Sequence, residues 1–239
     1  MGVPATLRDF RRQHSLSLQG ICREMFREDA GRMQVQGEAV AVQNLMKILD
    51  ATLALANQKG FAAMSLRELS ARAGLSMGGL YAYIRSKEDL AELIQRHGRA
   101  LAQRVLGHVL DGIQGPREQL RTAIRAHLFL SEVLRAWFYF SYMEAKHLGA
   151  EERQKAIESE QQTEALFRRI LESGQQAGIY RDADMQMAAS LLKAVLQDWY
   201  LKRGKYRARG VDVEQYADTV IEMMERMLKN EEMKQDRQD

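Results

Sequence analysis

Apolar side chains recur at helical spacing along most of this chain. Between Val40 and Lys59, Leu45, Ile48, Leu49, Leu53 and Ala56 fall on one face of a helix. Gly60 suits its C-terminal stop, and Phe61 stands where an aromatic plugs the base of a small helical core. The next stretch, residues 65–90, reads SLRELSARAGLSMGGLYAYIRSKEDL. Ser65 and Glu68 form an S-x-x-E capping box; Leu66, Leu69 and Ala73 point inward; Gly74 ends the helix and Leu75 covers the turn. Ser76 caps a third short helix, through about Tyr83. Ser86, with Asp89 in the reciprocal position, opens a fourth whose inward residues are Leu90, Leu93, Ile94, Leu101 and Val105.

Gly112 and Gly115-Pro116 form a break, with Pro116 suited to a first helical turn. Leu120 to Leu148 reads as two helices parted near Ser131, and residues 150–177 as a charged helix ending in the turn GQQAGIYRDAD. Two last helices follow, about 184–206 and 212–229, before a charged tail expected to fray. Residues 1–37 are a mixed leader in which SLQGICREMFRED, with Leu18, Ile21, Met25 and Phe26, suits a short amphipathic helix. A poorly ordered extension, or a true start at Met33, reads equally well. The pattern therefore predicts an all-α chain: an extension over 1–37, a three-helix domain over 38–86 and a larger helical domain over 87–239.

Composition agrees. Of 239 residues, 46% are apolar and 28% charged, and only Pro4 and Pro116 interrupt helix as prolines. A single cysteine, Cys22, excludes an internal disulfide and a multi-cysteine metal site. No uncharged apolar run reaches the roughly 18 residues of a membrane span, and the N-terminus is a poor secretion signal; a cytoplasmic protein is expected. The net charge of +3 says little about nucleic acid until local placement is considered.

That placement lies in AGLS. A small residue, a glycine and an apolar residue let two short helices cross near a right angle, so that the second enters a DNA major groove N-terminal end first. Gly78 and Gly79 each weaken a helix by roughly 1 kcal/mol relative to alanine, yet leave the backbone free to approach a duplex. Tyr81 and Tyr83 offer hydroxyls to phosphates while their rings pack on the domain; such contacts set register without reading sequence. Lys87 stands in the first turn of the following helix, where the dipole disfavours an ammonium unless a phosphate lies close.

With these residues in view, the chain resembles the TetR family of bacterial repressors. Ser65, Leu69, Ala73, Gly74, Leu75, Ser76, Gly78, Leu80, Tyr81, Tyr83, Ser86, Lys87 and Leu90 carry the resemblance, which covers Leu45 to Leu93. Ile84 replaces a usual Phe, Ser70 a usual Ala, and Met77 a Lys, Pro or polar residue; Met77 makes any base contact there apolar, toward a thymine methyl. The resemblance implies an obligate homodimer on a palindromic double-stranded operator. Its DNA-facing candidates are Ser65, Arg67, Ser76, Met77, Gly78, Gly79, Tyr81, Tyr83 and Lys87. Ordinary surface or core roles remain open for Arg67, Tyr81 and Lys87.

The larger half carries WFYFSY, in which Trp137, Phe138, Tyr139, Phe140 and Tyr142 cover every face of a helix. One face suits an apolar ligand cavity; an aromatic core without a cavity is the alternative. Phe129 and Phe167 are co-lining candidates, each also suited to plain core. Glu144 and Lys146 stand where a carboxylate or ammonium meets a polar ligand group, or as exposed helix-end charges. Leu192, Val195, Leu196 and Trp199 make one apolar stripe and Met223, Met224, Met227 and Leu228 another. The resemblance implies that the last two helices pair with their copies across a two-fold axis, with Trp199 as anchor.

Lys202, Arg203, Lys205, Arg207 and Arg209 follow with no acid between them, more than a helix C-terminus needs, and suit a phosphate-bearing ligand. This half loosely resembles the fatty-acid and acyl-CoA-responsive members of the family, which implies an acyl or acyl-CoA effector. Its site would include Trp199, Arg203 and the aromatic wall. His127 and His147 lack partners at metal-ligand spacing, no cofactor or nucleophile–base motif is present, and the pairs Glu151-Glu152 and Glu231-Glu232 read as solvated surface. An enzyme is not expected. The chain reads as a ligand-responsive repressor released by a small hydrophobic effector; the alternative is a helical small-molecule-binding protein that has lost DNA recognition.

Overall fold

Scarce proline and abundant straight-chain residues leave long stretches free to coil, and helix dominates. The computed structural model describes residues 6–14, 16–144 and 149–230. The expectations for Lys146, His147, Glu231-Glu232 and the charged tail fall outside these residues. Among the described residues the elements are α1 (Leu7–Gln13), α2 (Leu18–Asp29), a 3-10 turn (Ala30–Arg32), α3 (Glu38–Lys59), α4 (Leu66–Ala73), α5 (Met77–Tyr81) and α6 (Lys87–Leu110), then α7 (Pro116–Val133), α8 (Arg135–Glu144), α9 (Ala150–Gln176), α10 (Met185–Leu201), α11 (Arg203–Ala208) and α12 (Val213–Leu228). No strand occurs among them; one isolated bridge joins Tyr180 and Lys229.

The chain divides into two units. The first comprises Arg11–Leu101 and Leu134–Ile157, and the second the remaining segments. In the first, α3 is the central helix, with Leu45, Ile48, Leu49, Leu53 and Ala56 buried as their spacing predicts. It packs against α2, α4 and α8. Alone among the described helices, α3 is long and apolar enough to cross a membrane, yet this packing already covers its apolar face. Among the leader's described residues, α2 is docked helix: Ile21, Cys22 and Met25 are buried, and burial pushes the Cys22 thiol up to about 12. At the end of α2 the buried Asp29 carboxylate accepts from Arg96 at 2.8 Å and faces His97 Nε2 at 2.7 Å. Burial alone would raise this carboxyl; the His97 and Arg96 hydrogen bonds hold it below its ordinary value.

In the second unit α7 is buried nearly all round and packs on α10 and α12. Trp199, Tyr206 and Tyr216 form an aromatic cluster with ring centroids 4.8–5.4 Å apart. Several boundaries depart from the sequence pattern. The pattern does not predict α1, which is held by tertiary contacts: Phe10 is buried edge-on to Phe129 at 5.6 Å, and the Leu7 amide donates to Glu214 at 3.0 Å. The break expected near Ser131 falls at Leu134; Ser131 stays within α7, buried, with its hydroxyl donating to the Leu128 carbonyl at 2.8 Å. The penultimate helix ends at Leu201, where Lys202 leaves helical geometry at φ −118° and ψ 32°, and α11 restarts beyond it.

Candidate nucleic-acid interface

The helix-turn-helix is built from local hydrogen bonds that its polar residues dictate. Ser65 Oγ accepts from the Glu68 amide at 3.2 Å, and the Glu68 carboxylate accepts from the Ser65 amide at 2.9 Å. The Lys59 ammonium, reinforced by the Ser65 amide and hydroxyl, holds the Glu68 carboxyl down at about 2. Gly74 takes the left-handed conformation, φ 65°, that ends α4. The turn is then locked by a residue that departs from the family pattern. The Ser70 hydroxyl donates to the Leu75 carbonyl at 2.6 Å, while the Leu75 amide donates back to the Ser70 carbonyl at 3.0 Å.

α5 starts on Ser76, whose Oγ accepts from the Gly79 amide at 3.0 Å. A Cβ built on Gly79 would lie 3.2 Å from this Ser76 Oγ, so the cap itself leaves little room there. Gly78 differs. It is exposed, its φ lies outside the positive region, and a Cβ would meet nothing within 4 Å. Neither backbone nor packing inside this chain requires a glycine at Gly78.

The candidate DNA-facing residues therefore separate. Ser65, Arg67, Ser76, Gly78 and Tyr81 are exposed or partly so, Tyr81 at 48%. Met77 and Gly79 are half-buried. Tyr83 is buried, and its hydroxyl accepts from Asn44 of α3 at 3.0 Å, which fixes the ring and leaves its own proton to donate. Lys87 reaches back over the Phe61 ring, 5.0 Å from its centroid, and donates to the Ala62 carbonyl at 2.8 Å. Two further contacts had no sequence signature. The Gln34 amide, arriving from the leader, donates to the Ala82 carbonyl just past α5 at 2.8 Å. The Glu144 carboxylate accepts from the Phe61 amide at 3.1 Å.

The candidate ligand residues also separate. Trp137, Phe138, Tyr139, Phe140, Tyr142 and Glu144 belong to the first unit, and Phe129, Phe167, Trp199 and Arg203 to the second. Trp137 Nε1 donates to the Ile94 carbonyl at 2.9 Å and Phe140 meets Phe61 edge-on at 5.4 Å, so α8 buttresses the helix-turn-helix. Phe138 and Tyr139 are half-buried, and Tyr142 is exposed. Phe129 and Phe167 are fully buried. Trp199, at 0% exposure, faces inward within its own unit rather than outward as a two-fold anchor would. Met187, Leu191 and Met223 are the large apolar side chains exposed on α10 and α12.

The basic run meets one acid a turn before it, Asp198, and one that sequence distance concealed, Glu132. Lys202 and Lys205 lie 2.7 and 3.2 Å from Asp198, and Arg203 lies 3.2 Å from Glu132 while stacking on Trp199. Burial opposes the charge on Asp198, but Lys202, Tyr206 and Lys205 bring it down to about 2. Arg207 and Arg209 are exposed. Among the described residues no group of His, Cys, Asp and Glu could hold a metal ion.

Comparison with known proteins agrees with this architecture. The family described as bacterial regulatory proteins, tetR family, matches residues 48–94, and the tetracyclin repressor-like C-terminal domain matches residues 114–228. No curated protein matches the chain. Among solved structures, the transcriptional regulator PfmR of Thermus thermophilus is 26% identical, with a TM-score of 0.68, over 77% of this chain and 99% of its own. AibR, solved with isovaleryl coenzyme A and operator DNA, is 24% identical with a TM-score of 0.66 over 74% of this chain and 95% of its own. FadR of Bacillus subtilis, solved with stearoyl-CoA, is 21% identical with a TM-score of 0.59 over 77% of this chain and 98% of its own.

Proposed function

Because the chain belongs to the TetR family of bacterial regulatory proteins, we propose that it is a homodimeric repressor of transcription, bound to a palindromic operator and released by a small hydrophobic effector. The observation that carries the DNA-binding reading is Gly78. A glycine that costs helix stability and answers no internal need is explained by an external body pressing against α5. Tyr81 and Arg67, accessible beside it, supply groups for phosphate, and Tyr83 is held ready by Asn44. Ser65, Ser76 and Gly79 shape the entry of the two helices, and Met77 presents an apolar side chain. Lys87 braces the turn below them.

Two-fold pairing is supported by the outward apolar residues of α10 and α12, Met187, Leu191 and Met223. A palindromic site read by two copies requires the recognition helices to stand about 34–36 Å apart, one turn of DNA. An effector releases DNA by favouring a dimer in which that spacing is lost, by no more than its differential affinity for the two shapes. The acyl class is supported by the coenzyme A thioesters with which AibR and FadR were solved.

Fluorescence anisotropy on duplexes from the gene's own upstream region tests the reading. Binding is expected to weaken steeply with salt and to be reversed by an acyl-CoA. Tyr81→Ala is expected to lose at least roughly tenfold in DNA affinity with dimerisation intact, the loss of a phosphate contact. A well-folded dimer that binds no upstream duplex, or a Tyr81→Ala protein that binds unchanged, would favour a small-molecule-binding protein without DNA recognition.

A further inference from the structure

The second unit contains an ammonium that the fold leaves poorly compensated. Lys193, in the middle of α10, is 8% exposed. It forms a long ion pair with Glu160 of α9, at 3.8 Å, and the Glu160 side chain is about half exposed. On the α7 side stands His127, 3% exposed, its ring 6.3 Å from that of Phe167. Burial, with Lys193 adding to it, holds His127 down at about 3, so the imidazole is neutral and neutralises nothing. Removing an ammonium from water costs several kcal/mol unless a close, hydrogen-bonded anion offsets it. A long pair to the half-solvated Glu160, with Glu164 also attracting the ammonium, offsets only part of that: burial outweighs both and lowers the Lys193 pKa from its ordinary value.

The surroundings are built to part. Among the residues of α9, only Phe167, Ile170, Leu171 and Gly174, near its C-terminal end, are buried. Ahead of them polar side chains bridge it to α10: Gln186 and Ser190 donate to Glu164 at 2.5 and 2.8 Å, and Gln197 donates to Glu160. Carboxylates on a seam of this kind can turn to water and recover their solvation, which interlocked apolar side chains cannot.

We propose that Lys193 is the anchor of an effector site between α7, α9 and α10, taking the anionic group of an amphipathic ligand whose apolar part lies along Phe167. The incoming anion replaces Glu160, which turns outward; charge inside the unit is conserved, and the ammonium gains a close partner. The proposal deepens the ligand-responsive reading above and rests on it. It names an anchor absent from the aromatic wall and from the basic run, whose Lys202, Arg203 and Lys205 already face Asp198 and Glu132.

The test is isothermal titration of the full-length protein with decanoate, decanoyl-CoA and the uncharged decanol. Lys193→Met is expected to melt higher than wild type without ligand and to bind the anion at least roughly tenfold more weakly, with decanol unchanged. Lys193→Arg should restore most of the affinity. Loss confined to decanoate assigns the carboxylate to Lys193, and loss confined to decanoyl-CoA assigns a phosphate. Glu160→Gln, at a half-exposed position that does not threaten folding, should tighten anion binding by removing the internal competitor. Equal anion affinity in wild type and Lys193→Met, or weaker binding in Glu160→Gln, would overturn the site. Release of operator DNA by the same probes would then still stand, as a separate measurement of the ligand-responsive reading. Binding of decanol as tight as that of both anions would likewise remove the role of Lys193.

Discussion

Gly78 and Gly98 show how one missing side chain carries opposite meanings. A Cβ at Gly78 meets nothing within 4 Å, whereas at Gly98 it would lie 2.3 Å from Trp137 Nε1. Gly78→Ala is therefore expected to leave stability unchanged or raise it by up to about 1 kcal/mol while weakening operator binding. Chemical denaturation and anisotropy, measured on the same preparation, should move in opposite directions. Loss of stability without loss of DNA affinity would contradict the role given to α5. A sequence shows both glycines alike; only the neighbours in space tell them apart.

Among the elements, α8 changed its meaning most. Its five aromatics suggest a ligand wall, since they cover every face of a helix. In the structure Trp137 and Phe140 are engaged with Ile94, Gly98 and Phe61, and Glu144 with the Phe61 amide. This helix thereby supports the segment from which Lys87 and α4 are positioned. Gly98→Ala should force the Trp137 indole off its hydrogen bond to Ile94 and cost about 1–3 kcal/mol, as overpacking does. A shift of the urea midpoint without a change in slope is the expected signature. α2 gained in the same way. An amphipathic pattern predicts its helix, but its docking through Asp29 on Arg96 and His97 joins residues far apart in sequence, which periodicity does not report.

Across the whole molecule, two measurements follow from what is exposed and what is buried. Leu191 is 54% exposed on α10. Leu191→Glu places a charge in the proposed two-fold contact, and sedimentation should then find monomers that fold but bind operator at least roughly tenfold more weakly. His127 makes stability depend on pH. Its folded value is depressed to about 3, whereas in the unfolded chain it titrates near about 6.5. Between these values the unfolded chain binds the extra proton, so stability is full above about 6.5 and falls as the pH drops, by up to about 1.4 kcal/mol per unit. A His127→Phe variant should lose less stability than wild type between roughly pH 6.5 and 4.5; parallel curves would contradict the burial of this ring.

Helix, the helix-turn-helix and its caps were determined by the sequence alone, because each depends on residues within a few positions of one another. Ser65 with Glu68, the left-handed Gly74 and the Ser76 cap are all of this kind. The two units, the leader's docking on α3, the acids opposite the basic run and the poor compensation of Lys193 were decided by tertiary structure. Asp198 lies only a turn before Lys202, but Glu132 reaches Arg203 from another helix, and Glu160 approaches Lys193 from a third. Charge compensation and desolvation depend on distance in space, and a linear pattern records that distance only along the chain.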